Sequence, residues 1–182
     1  EQASDAGGIR MGTDWAAIYG GSTEYILKAF EYADQYLAKD TILFYNDYND
    51  CDPVKAETIR GFLKEIREVL NKGGKGRKLG VGMQGHYDML TPTYETIETA
   101  TREYAKIADV VHITELDIKS RFGFDGKDLE TEFAKEGHRY KDIYEIVRKI
   151  NEEHKSDPDS LKGYVQNITI WGTHDAASWL KT

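Results

Sequence analysis

Residues 109–118 read DVVHITELDI, and this stretch decides the fold. Its β-branched and aliphatic residues describe a strand covered on both faces. Near its end stand Glu115 and, two places on, Asp117. The period of two puts both carboxylates on one side of the strand. Either the strand leaves the core there, or the carboxylates have chemistry to do. Two like charges this close call for a hydrogen-bond donor between them.

Outward from this stretch, three more segments read as strands: TILFYN at 41–46, LGVGMQGHY at 79–87 and YVQNITIWG at 164–172. The glycines of the second suit places where backbones approach closely. Helical spacing fills the intervals. Residues 22–38 carry Ile26, Ala29, Phe30, Ala33 and Leu37 on one face, with Ser22 or Thr23 as cap. Residues 54–71 carry Ile59, Leu63, Ile66 and Leu70 after an Asp52-Pro53 turn, and helices are also expected over 93–108 and 140–155. GGKGRK at 73–78 reads as a basic surface loop, and 120–137 as a loop rich in Phe, Gly and Asp.

Strands alternating with helices mean βαβ units and a parallel sheet. Such units fit a small doubly wound sheet or half of a (β/α)8 barrel. The strand ends separate the two. YND, MQGHY, TELD and IWGTHD gather polar residues at the C-terminal end of every strand. Barrel enzymes carry their sites on that face, whereas a doubly wound sheet uses a subset of strands around its switch point. The expected fold class is therefore α/β: the C-terminal part, strands five to eight, of a (β/α)8 TIM barrel, with the first half absent from this chain. A full barrel needs about 250 residues, and this chain has 182. Residues 1–182 then form one partial domain. Its two open sheet edges call for the N-terminal half of the barrel as partner.

Composition narrows the function. The formal net charge is −8, which argues against nucleic acid as a partner and is compatible with a neutral substrate. The single cysteine, Cys51, allows no intrachain disulfide and reads as a loop thiol without a role. No apolar run reaches the roughly 18 residues of a membrane span, so no membrane partner is expected. The chain opens on Glu1 rather than Met, and no leader segment is visible. Neither GxGxxG nor a P-loop occurs, which sets aside a nucleotide-binding protein. Asn167-Ile168-Thr169 matches a glycosylation acceptor, but it falls on a strand expected to be buried.

Glu115 at a strand mouth can be a nucleophile, a general base or a salt-bridged structural residue. His86, at the end of the adjacent strand, can stand between Glu115 and Asp117. Gln84 shares its strand face and can bond a sugar or a carboxylate. Asn46 and Asp47 end the preceding strand, where turn and cap roles also suit them. Trp171 and Trp179 frame GTHDAAS and can stack on a flat sugar face. Tyr45, Tyr48 and Tyr87 add aromatics at strand ends.

LFYNDYN, GVGMQGHY, ITELDI and ITIWGTHDAASWL resemble, in order, the strand-five to strand-eight signatures of glycoside hydrolase family 10, the endo-β-1,4-xylanases. The resemblance covers the chain from about Asp14 to its end. It implies that Glu115 is the catalytic nucleophile, that His86 bonds it with Asp117 in support, and that Asn46, Gln84, Trp171 and Trp179 shape the substrate site, to which the strand-end aromatic Tyr87 is added as a candidate substrate contact. The family's acid/base ends an Asn-Glu motif. No Asn precedes Glu1 here, yet EQASDAGGIRMGTDWAAIYG is similar to the family's segment beginning at that glutamate, which implies Glu1 as the acid/base. The resemblance further implies xylan or xylo-oligosaccharide as substrate, a retaining mechanism, no metal or cofactor, and a secreted or cell-surface enzyme. A final helix is also missing relative to the family. A non-catalytic xylan-binding half barrel that uses the aromatics alone stays open.

Overall fold

The structure, a computed structural model, describes residues 1–120 and 128–180. Its elements are α1 Asp14–Ile18, α2 Glu24–Tyr36, β1 Leu43–Asp47, α3 Pro53–Lys72, β2 Leu79–Met83, β3 His86–Asp88, α4 Tyr94–Ala105, β4 Val110–Lys119, α5 Leu129–Ser156 and β5 Tyr164–Ile170, followed by a short 3-10 turn at Asp175–Ala177. Every strand pairing is parallel. β1 lies on β2 with Leu43 opposite Leu79, β2 on β4 with Gly80 opposite Val110, and β5 on the other side of β4 with Val110 opposite Tyr164. The β4–β5 register shifts twice, between Val111 and His112 and between Ile113 and Leu116.

The helices cover one face of the sheet. Leu43 and Tyr45 of β1, Leu79, Val81 and Met83 of β2, and Val111 and Ile113 of β4 are buried with Ile59, Leu63 and Ile66 of α3, Ile97 and Tyr104 of α4, and Ile143 and Ile150 of α5. The opposite face carries Phe44, Asn46, His112 and Thr114, each only partly buried. A doubly wound sheet buries both faces under helices. The uncovered second face is that of a barrel interior. Among the described residues, β1 and β5 each pair on one side only.

On that inner face, glycine is required twice. A Cβ at Gly80 would lie 2.3 Å from Phe44 Cε1, and one at Gly82 would lie 2.2 Å from Asn46 Oδ1. The missing side chains let Phe44 and Asn46 lean across β2 to β4. The Phe44 ring reaches His112 at 4.4 Å between centroids. The glycines thus admit side chains rather than the close backbones expected from sequence.

Three expected elements differ. The strand expected over 79–87 breaks between Met83 and His86, because Gly85 adopts φ +77°. The chain re-enters the sheet as β3, with His86 opposite Asp117. The helix expected over 140–155 begins at Leu129, so 128–137 is not loop. Asp128 caps it by accepting the Thr131 N–H at 3.3 Å. Gly137 disguised the start, since a mid-helix glycine costs only about 1 kcal/mol against alanine. The rest of that expected loop, 121–127, lies outside the described residues. Asn167 sits on β5 as expected but is exposed rather than buried.

Candidate active site

The C-terminal ends of β1 and β2, the first residue of β3 and the middle of β4 converge on Glu115. The Gly85 turn sets up the convergence by placing Gln84 and His86 on either side of it. The Asp50 carboxylate holds this turn, accepting the Gly85 N–H at 3.1 Å and the Tyr87 hydroxyl at 3.0 Å. Burial raises the Asp50 pKa against these donors.

His86 lies between the two carboxylates of β4. Its Nδ1 is 2.9 Å from Asp117 Oδ1, and its Nε2 is 3.4 Å from Glu115 Oε2. Asp117 is 5% exposed, and its second oxygen accepts Trp179 Nε1–H at 2.7 Å. Trp179 meets the His86 ring edge-on at 5.0 Å and 73°. One buried carboxylate therefore orients an imidazole and an indole together. On the other side of Glu115, Asn46 Nδ2 donates to Oε1 at 3.3 Å, and Thr114 Oγ1 donates to Asn46 Oδ1 at 2.8 Å.

Glu1 faces this group from the start of the chain. Gln84 Nε2 donates to Glu1 Oε1 at 2.6 Å. The following residues fold into a small hairpin. Ala3 bridges antiparallel to Ile9, and Gly7 and Gly8 turn it at φ +87° and +71°. The hairpin returns Arg10 to Glu1, with Nη1 at 3.7 Å from Oε2. Both side chains are nearly half exposed, so this pair contributes little stability.

Asp47 anchors the hairpin to β1. Its Oδ2 accepts the N–H groups of Gln2 and Ala3 at 3.1 Å each, and the Tyr45 hydroxyl at 2.6 Å. Its Oδ1 accepts Tyr48 N–H at 2.9 Å and faces Lys55 Nζ at 3.2 Å. The Lys55 side chain is fully buried and also reaches Asp5 at 3.0 Å. Burial disfavours the ammonium, but Asp5 and Asp47 outweigh it and hold the Lys55 pKa above its usual value. Burial and Asp47 push the Tyr45 phenol well above its usual range, so it remains a donor.

The residues expected from sequence mostly meet. Glu115, His86, Asp117, Asn46, Gln84, Glu1 and Trp179 form one linked group. Trp171 stands at the end of β5, its N–H donating to the Leu116 carbonyl at 3.0 Å and its ring about half exposed. Tyr87 is a correction. It is 5% exposed, and its hydroxyl is engaged by Asp50 and lies 3.2 Å from Cys51 Sγ. Side chains alternate along a strand, so with His86 facing the carboxylates Tyr87 packs beneath the site. Cys51 is likewise buried rather than in an open loop, and burial pushes its thiol up. Tyr45 is also buried, as a support of Asp47.

Sequence reasoning missed the roles of Lys55, Thr114 and Arg10, and undervalued Asp47. A fully buried lysine is rare without a partner, and nothing in PVKAETIR marks Lys55 as buried. Thr114 could have been found from its place beside Glu115. Among the described residues, no group of three His, Cys, Asp or Glu side chains stands where it could share a metal ion.

A half barrel whose strands hold a histidine between two carboxylates, with a further glutamate bonded to the neighbouring Gln84, is an arrangement suited to carboxylate chemistry. The chain belongs to glycosyl hydrolase family 10, whose family model matches residues 1–182. It is 36% identical over 185 residues to an endo-1,4-beta-xylanase of Geobacillus stearothermophilus, covering 99% of this chain and 51% of that protein. It is 31% identical over 180 residues to endo-1,4-beta-xylanase B of Paenibacillus barcinonensis, covering 94% of this chain and 48% of that protein. Among solved structures it superposes on a psychrophilic family 10 endo-beta-1,4-xylanase with a TM-score of 0.75 at 30% identity, covering 99% of this chain and 51% of the other. The chain thus spans about half the length of the relatives it matches. Its fold is the corresponding half of their TIM barrel.

Proposed function

We propose that this chain supplies the nucleophile-bearing half of a retaining endo-β-1,4-xylanase, completed by the first half of the barrel. The observation that carries the reading is the His86 imidazole held between Glu115 and Asp117. A module that only binds sugar needs exposed aromatics but has no use for a carboxylate oriented in this way.

Glu115 attacks the anomeric carbon of the sugar at the cleaved bond, and Glu1 protonates the departing glycosidic oxygen. The resulting glycosyl-enzyme is hydrolysed by water, which Glu1 then deprotonates. Asn46 and His86 fix the two Glu115 oxygens. Asp117 aligns His86. Gln84 fixes Glu1, and Trp171 and Trp179 offer flat faces for the sugar. The substrate is xylan or xylo-oligosaccharide, nearly neutral polymers that an acidic protein does not repel. Nucleic acid and membrane play no part. The enzyme works outside the cell, secreted or surface-held, because a polysaccharide does not cross a membrane.

The test is hydrolysis of xylan and an aryl β-xylobioside by this chain alone, by the chain combined with the strand-one-to-four half, and by the combination carrying Glu115→Gln. The combination turns over substrate, the isolated chain does so weakly, and Glu115→Gln abolishes turnover. Binding without turnover in the combination would favour the sugar-binding module.

A further inference from the structure

We propose that Asp47 is a positioning residue for the acid/base. Its buried carboxylate tethers the first two peptide groups after Glu1 to β1 and so aims the Glu1 side chain at the leaving oxygen. The proposal rests on the reading of Glu1 as the acid/base.

The Glu1 side chain is 46% exposed and has a distant partner in Arg10 and a close one in Gln84. Two such contacts at a chain segment do not set a direction unless the backbone is fixed. That backbone is fixed at Asp47, where one oxygen gathers Gln2 N–H, Ala3 N–H and the Tyr45 hydroxyl. The Tyr45 oxygen also receives the Gln2 N–H at 3.2 Å. Asp47 is fully buried, and the buried Lys55 ammonium balances its charge. A turn or cap needs none of this apparatus. Carboxylates that only cap, such as Asp52 at the start of α3, accept from their own helix. Asp47 instead reaches 44 and 45 residues back along the chain.

Asparagine cannot replace it. With its oxygen toward Gln2 and Ala3, its amide would face the Tyr48 N–H and Lys55. Turned over, the amide would face Gln2 and Ala3. Either way, donors meet donors.

General-acid help matters most when the leaving group is a poor one. The completed barrel should therefore be assayed on phenyl β-xylobioside, which needs protonation, and on 2,4-dinitrophenyl β-xylobioside, which does not. Asp47→Asn, Tyr45→Phe and Glu1→Gln are compared with the parent. Misplacing an acid that contributes about 10²–10⁴-fold should lower phenyl-substrate kcat/KM by about tenfold or more in Asp47→Asn, with the dinitrophenyl substrate nearly unaffected. Tyr45→Phe, which keeps the ring, should shift the ratio the same way by a smaller factor, and it decides alone if Asp47→Asn does not fold. Glu1→Gln should show the largest ratio. If Glu1→Gln lowers both substrates equally, or the parent turns over neither, the reading of Glu1 fails and the tether fails with it. If Glu1→Gln is selective while Asp47→Asn and Tyr45→Phe lower both substrates equally or neither, only the tether is overturned.

Discussion

Gln84 ties Glu1 to the strand that carries Glu115. Its side-chain amide donates to Glu1 Oε1 at 2.6 Å, while its carbonyl accepts the Glu115 N–H at 2.9 Å. One residue thus spans the two carboxylates. Gln84→Ala keeps the backbone link and releases Glu1. We expect kcat on xylan to fall by about 10- to 100-fold, as for a misplaced catalytic group, at a stability loss of about 1–2 kcal/mol. Steady-state kinetics with thermal melting checks this. An unchanged kcat would separate Gln84 from the chemistry.

Asp117 orients His86 and Trp179 at once. In Asp117→Asn, an amide can face the His86 nitrogen that the carboxylate now engages, so the imidazole loses its set orientation. Loss of such an orienting partner should lower activity by about tenfold or more, as for a misplaced catalytic group. In Asp117→Ala the Trp179 indole loses its acceptor as well, and its fluorescence should change, which a purely electrostatic effect on Glu115 would not do. Kinetics and emission spectra on the same sample test both.

Gly82 makes room for Asn46. A methyl group there would collide with Asn46 Oδ1 and push its amide off Glu115. Overpacking of this kind costs about 1–3 kcal/mol. Gly82→Ala should therefore melt earlier and also lose activity. Gly61, on the outside of α3 with open space around it, should tolerate alanine without loss of activity.

The opposite end of the sheet serves stability. Asp109 Oδ2 accepts Arg67 at 2.6 Å and the Leu79 N–H at 2.8 Å. Burial opposes its charge, but these donors outweigh it and hold the Asp109 pKa below the usual 3.8. A lowered carboxyl pKa stabilises the fold above the unfolded value and loses that contribution as pH falls through the folded value. Stability should therefore decline as pH drops below 3.8. Asp109→Asn should lose about 1–3 kcal/mol at neutral pH and show a shallower acid decline. Denaturant melts across pH measure this, and activity per folded molecule should not change.

Much of the site was legible because strand ends are a fixed address. Once the apolar runs are placed, Asn46, Gln84, His86, Glu115 and Asp117 fall at the C-terminal face by counting alone. Tyr87 was misread although counting places it: alternation from His86 sends it away from the carboxylates and into the core. The start of α5 was hidden by Gly137, because glycine reads as loop punctuation even where packing holds it in a helix. Lys55 was illegible for a different reason. Its burial depends on Asp5 and Asp47, which are remote in sequence, and neither helical spacing nor capping registers such a partner.

The nucleophile assignment is open to trapping. A 2-deoxy-2-fluoro xylobioside with a good leaving group, incubated with the completed barrel, should leave a covalent glycosyl group. Peptide mapping by mass spectrometry locates it. Labelling of the peptide bearing Glu115, blocked in Glu115→Gln, is the expected result. A label on Glu1, or none from a barrel that still turns over the unfluorinated substrate, would contradict it.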